Sequence, residues 1–200
     1  SGTAALVSKT PAPLLLVDGG RFFRLDGYYR QALDHIGVAY DYRRLKNVLP
    51  PPALSLYELA QYPVVVWYTS YDWSEPLSPA HEEALMAYLD RGGRLFFSSQ
   101  DYLYYRHGSR FAEEYLGVLD HREDIETQAI SGEHGHPIGW GMGPFTLTYT
   151  FTNWSDGLIP VPAARAAFRG QHGYPAMLTH AREGGRAAFA AFAFEMLDPD

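Results

Sequence analysis

The chain has no cysteine among its 200 residues. That absence excludes thiol nucleophiles, disulfide cross-links and thiolate metal centres together, and leaves the redox compartment open. Lysine is nearly missing too, with Lys9 and Lys46 the only two among sixteen basic residues. At a net charge of −7 the chain lacks the basic stripe that phosphate binding requires, so no nucleic-acid partner is expected. No apolar run approaches the roughly 18–20 residues that cross a bilayer, so no membrane span is expected. No repeat, low-complexity tract or linker divides the chain.

What is present is an ordinary globular balance. Hydrophobic residues make up 46% and charged residues 20%, enough to bury a core without staples. Residues 1–12 read as a disordered or expression-derived tail and residues 13–200 as a single α/β domain. Fifteen tyrosines suit an amphipathic core and surface, and keep a sugar-stacking surface as a second reading.

Leu14-Leu15-Leu16-Val17 is a wholly apolar run, as a strand buried on both faces should be, and it stops at Asp18-Gly19-Gly20. Leu25, Tyr29, Leu33 and Ile36 then share one helical stripe, with Gly37 as its stop. Val38, Tyr40 and Tyr42 alternate as a second strand. After a rigid connector at Pro50-Pro51-Pro52, Ser55-x-x-Glu58 forms a capping box. Val64–Tyr68 is a third strand. Ser78 and Pro79 open a helix that buries Leu85 and Leu89 and ends at Arg91-Gly92-Gly93. Arg94–Ser98 is a fourth strand, and Ser109 caps a helix running through Leu116.

Strands separated by helices of this length imply right-handed crossovers and a doubly wound, mostly parallel sheet with helices on both faces. Residues 118–144 show no period. Thr146–Phe151 reads as a strand, and Tyr174–His180 with Arg186–Phe194 as a C-terminal β-hairpin around Glu183-Gly184-Gly185.

The order of these parts carries a resemblance. It lies in Leu-Leu-Val-Asp-Gly-Gly (15–20), Val-Val-Val-Trp-Tyr-Thr (64–69), Tyr-Asp-Trp (71–73), Tyr-Leu-Asp-Arg-Gly-Gly-Arg-Leu-Phe-Phe-Ser-Ser-Gln-Asp (88–101) and Phe-Ala-Phe-Glu (192–195). Across nearly its whole length the chain resembles the class I glutamine amidotransferase-like (flavodoxin-like) domains that serve as accessory modules of large bacterial proteins, many of them exported. The resemblance implies neighbouring domains or a protein partner, no cofactor, and an extracytoplasmic setting in a bacterium. Active members place a cysteine in a glycine-flanked elbow after the strand matching Arg94–Ser98, and a His-Pro-Glu after a late strand. Here the elbow reads Ser98-Ser99-Gln100 and the late strand ends Phe194-Glu195, so only the acid survives. No glutaminase activity is expected.

In an open α/β sheet, ligands bind outside the carboxyl ends of the strands where strand order reverses. That rule places Asp18, Gly19, Gly20, Tyr71, Asp72 and Trp73 at one crevice, with Gln100 and Asp101 beside it. The occupant expected there is a small polar or sugar ligand; the competing reading is that each carboxylate caps a helix or binds a loop amide. Ser99 and Glu195 are the remaining catalytic candidates, and the alternative function is a divergent hydrolase using Ser99 or crevice carboxylates. His134 and His136 beside Glu133 have metal-compatible spacing but no third ligand, so a solvated loop and no metal site are expected. Asn153-Trp154-Ser155 matches a glycosylation sequon, and Gly141-Met142-Gly143 is too short for a phosphate loop. The reading that remains is a non-catalytic binding or interaction module.

Overall fold

The computed structural model of the chain describes residues 10–46 and 54–198; the triple-proline connector and most of the expected tail lie outside them. The four expected strands form β1 (Leu14–Asp18), β2 (Tyr40–Arg44), β3 (Val64–Tyr68) and β4 (Arg94–Ser98). These lie in the order β2-β1-β3-β4, every neighbouring pair parallel. β2 begins two residues later than the Val38 alternation suggests. The amide of Val38 is held by the Leu33 carbonyl at 3.0 Å, which closes the preceding helix across the left-handed Gly37 (φ +70°).

Residues of alternate parity enter two separate cores, as the period of a strand requires. Leu15, Val17, Val65, Trp67, Leu95 and Phe97 face a large core, which also takes residues of α2 (Leu56–Leu59), α3 (Pro79–Asp90) and α4 (Tyr102–Arg106). Leu14, Leu16 and Tyr68 face the other way, against Tyr29 and Leu33 of α1 (Asp26–His35). Ile36, expected on that stripe, is exposed because it lies beyond the last helical turn. The capping box at Ser55 and Glu58 and the Ser78 cap with Pro79 both form. Ser109 accepts a bond from the Ala112 amide at 3.1 Å, but the segment it opens, Phe111–Tyr115, is a π-helical turn.

The second half supplies β5 (Val118–Arg122), β6 (Ala129–Gly132), β7 (Phe145–Thr146), β8 (Gly157–Pro160), β9 (Arg165–Gly170), β10 (Pro175–Ala181) and β11 (Arg186–Ala190). β11 joins β4 in parallel, and β10, β9, β6 and β7 continue the sheet antiparallel, making nine strands. β5 and β8 form a separate pair. The strand expected over 146–151 stops at Thr146. Beyond it, Leu147 and Thr148 bond to the carbonyls of Gln128 and Met196, while Tyr149 and Phe151 join an aromatic cluster.

The loop between β6 and β7 folds back so tightly that a Cβ on Gly132 would overlap the carbonyl of Gly139, and one on Gly139 that of Ala167. Backbone cannot yield as a side-chain tip can. Gly132→Ala is therefore expected to cost about 1–3 kcal/mol, read as a lower urea midpoint. An unchanged midpoint would show that the loop does not pack against β6.

Candidate functional site

The carboxyl ends of β1 and β3 flank the point where strand order reverses, and the crevice residues separate there into two groups. Asp18 is fully buried and spends both oxygens internally, one on the Gly20 amide at 2.9 Å and one on the Tyr42 hydroxyl at 2.9 Å. Burial raises its pKa above the ordinary carboxylate value. Gly19 packs against Trp67, with no room for a Cβ. Asp72 is also buried; it accepts from the Ser74 amide at 3.0 Å and pairs with Lys46. Gln100 pins the loop ahead of β8, donating to Thr152 O at 3.1 Å and accepting from Trp154 N at 3.3 Å. For Asp18, Gly20, Asp72 and Gln100 the loop-amide reading is the one the geometry supports.

Trp73 and Asp101 behave differently. Together with Tyr104, Tyr105, Glu123, Asp124 and Trp154 they line a pocket of about 250 Å³. Asp101 precedes α4 but makes no side-chain cap bond, and its buried Oδ2 has no hydrogen-bond partner among the described residues. Burial is the main reason its carboxyl is pushed up to about 7, helped by the charges of Asp124 and Asp72. Asp124 of the pocket lining donates its amide to Oδ1 of the buried Asp156 at 3.1 Å. The Asp156 carboxyl is pushed up to about 8, again chiefly by burial.

An aromatic rim continues from this pocket. Phe22 stacks on Trp73 at 5.8 Å, and Tyr71 on Trp154 at 4.9 Å. Phe22, Phe23, Trp73, Tyr104 and Tyr105 are all exposed. Sequence reasoning reached Trp73 and Asp101 through the strand-end rule but missed Tyr104, Tyr105, Glu123, Asp124 and Trp154. Trp154 lay inside the apparent sequon, whose Asn153 amide donates to Thr127 O at 2.8 Å and so points inward.

The catalytic candidates are sequestered. Ser99 is buried, and its Oγ accepts from the Thr69 hydroxyl at 2.7 Å. The left-handed backbone that an elbow would need occurs instead at Ser70 (φ 51°), after β3. Glu195 accepts from Tyr29 Oη at 2.8 Å, and burial raises its pKa. His136 is not in a solvated loop: it is buried, with Nε2 at 2.8 Å from Thr179 Oγ1 and Nδ1 accepting from Ile138 N. Neither ring nitrogen is left for a metal.

A second cavity of about 460 Å³ lies on the α1 face, between Leu33, Phe96, Ile130, Phe145, Phe168 and Phe194. Its lining is apolar apart from the Tyr29 hydroxyl, which Glu195 already occupies. It offers nothing to orient a polar ligand.

No family model and no characterised relative matches the chain. Solved structures do. A cytoplasmic protein from Salmonella typhimurium, STM3548, aligns with TM-score 0.63 and 16% identity over 90% of this chain and 87% of its own. A putative GMP synthase component from Thermoplasma acidophilum aligns at 0.61 and 14%, over 92% and 86%. The fold is glutamine amidotransferase-like. A β-galactosidase from Bacillus circulans aligns at 0.60 and 12%, over 96% of this chain and 30% of its own. The expectation of an extracytoplasmic setting is corrected, because STM3548 and a second similar structure, STM1381 from the same organism, are both described as cytoplasmic proteins. Among the described residues no helix is long and apolar enough to cross a membrane.

Proposed function

We propose that the chain is a non-catalytic binding module that takes a sugar-sized polyhydroxylated ligand in the Trp73–Asp101–Trp154 pocket. The observation that carries this reading is a pocket walled by aromatic rings whose lining includes Asp101, a residue with no side-chain cap bond and with one buried carboxyl oxygen, Oδ2, that has no hydrogen-bond partner among the described residues. Rings stack on the apolar face of a sugar while carboxylates accept from its hydroxyls. The pocket is smaller than the roughly 300–1,000 Å³ usual for drug-sized ligands, which favours a single ring. A role as one part of a larger assembly is in keeping with the same fold forming 30% of a β-galactosidase chain.

Titration of tryptophan fluorescence with neutral and amino sugars is expected to saturate. Trp154→Ala and Asp101→Asn should each weaken binding by roughly tenfold or more, about 1.4 kcal/mol, and Ser99→Ala should leave it unchanged. No saturable response to any sugar at millimolar concentration would defeat the proposal.

One observation favours a second reading, hydrolysis by crevice carboxylates. Asp101, pushed up to about 7, lines the same pocket as Glu123, and glycoside hydrolysis uses two carboxyls of which one is held protonated. Release of nitrophenol from aryl glycosides, lost in both Asp101→Asn and Glu123→Gln, would favour it over simple binding.

A further inference from the structure

Beside this pocket, a second group of side chains has no place in the sugar-binding reading. His107 follows the last turn of α4, and Asp120 and His121 lie on β5. One ring nitrogen from each histidine and one oxygen of Asp120 all lie within 4.8 Å of one another. His107 Nε2 is 3.2 Å from Asp120 Oδ1, and the two imidazole rings are 5.0 Å apart.

Asp120 and His121 are adjacent in a strand and would ordinarily point to opposite faces. The β5–β8 pairing slips just ahead of them, between Val118 and Asp120, and Asp120 and His121 then pair in register with Ile159 and Leu158. The His121 amide donates to Asp120 Oδ1 at 2.8 Å, which fixes the carboxylate in its turn. His121 Nδ1 is buried and has no hydrogen-bond partner among the described residues. A surface ion pair between His107 and Asp120 explains one contact. It explains neither the convergence of the second imidazole nor its unpartnered nitrogen.

We propose that His107, Asp120 and His121 bind a divalent transition-metal ion, zinc or a similar ion. Two imidazoles and one carboxylate are borderline ligands suited to such ions, whereas magnesium and calcium prefer an all-oxygen shell. Three protein ligands leave one tetrahedral position for water or another donor. The ion would tie the end of α4, which carries Tyr104 and Tyr105, to the strand leading into Glu123 and Asp124.

The test uses the whole chain without a histidine tag, stripped with EDTA and titrated with cobalt(II) chloride, then with zinc chloride in competition. One equivalent of cobalt should develop visible absorption bands of low-symmetry coordination, and zinc should displace it. His107→Ala removes an exposed side chain and leaves the fold intact. It should weaken binding by more than about tenfold, since loss of even an outer-shell partner costs that much; Asp120→Asn and His121→Ala should do the same. His134→Ala should bind as the parent does. Absence of saturation at millimolar cobalt overturns the proposal. So does binding that survives both His107→Ala and His121→Ala, or that is lost in His134→Ala.

Discussion

Replacing Arg106 by leucine is expected to destabilise the fold by about 3 kcal/mol, a large loss for a single charged side chain. Arg106 closes α4 and sends two bonds to Glu82 of α3, Nε to Oε1 at 2.9 Å and Nη2 to Oε2 at 2.6 Å. The glutamate side chain is only 5% exposed against 27% for the arginine. Loss of the arginine therefore strands a carboxylate that cannot reach water, while loss of the glutamate leaves a guanidinium that can. Tyr102 at 2.7 Å and Ser109 at 3.2 Å would still bond Glu82 Oε1, which limits the damage. Urea unfolding of Arg106→Leu, Glu82→Leu and the double variant checks this. The double variant should recover much of the loss, because removing both charges also removes their desolvation cost. If Arg106→Leu costs less than Glu82→Leu, burial does not set the order. The consequence reaches the pocket and the metal group alike, since α4 carries Tyr104, Tyr105 and the adjoining His107.

Most of the parallel half of the sheet was legible because β1, β3 and β4 carry apolar runs, while the edge strand β2 showed only an alternation. Val64–Tyr68 and Arg94–Ser98 begin and end where the pattern places them. Several of the later strands were not legible, for a physical reason. β6, β7 and β8 span only two to four residues, too short for a period, and their positions depend on glycine contacts such as Gly132 on Gly139. The site divides along the same line. Trp73 and Asp101 follow parallel strands and could be placed by topology. Glu123, Asp124 and Trp154 come from aperiodic segments brought in by the β5–β8 pair. Asp18 and Asp72 end or follow parallel strands, and their hydrogen bonds to Gly20 and Ser74 depend on loop conformations that no spacing rule reveals.

Asp156→Asn is expected to stabilise the protein at pH 8.5 by on the order of a few kcal/mol, and to leave stability at pH 4 nearly unchanged. Asp156 is 3% exposed, and burial pushes its carboxyl from the ordinary 3.8 to about 8. Below pH 4 the group is protonated in both folded and unfolded chains and contributes nothing to the difference. Between pH 4 and about 8 the unfolded chain ionises while the native chain keeps its proton. The native state then binds more protons, and stability falls as pH rises. Above pH 8 both states are ionised, and the full penalty for a buried charge remains. Asparagine never ionises, yet its carbonyl can still accept the Asp124 amide bond that Asp156 Oδ1 accepts at 3.1 Å. The pocket wall at Glu123 and Asp124 should therefore keep its shape, and sugar binding should survive the substitution. Asp101, pushed up to about 7, adds a slope of the same sign over a narrower pH window, and it persists in the variant. Urea midpoints at pH 4, 6 and 8.5 for the parent and for Asp156→Asn measure the effect. Parallel curves, with no gain at high pH, would mean that Asp156 is ionised in the folded protein and that its burial is relieved by another charge.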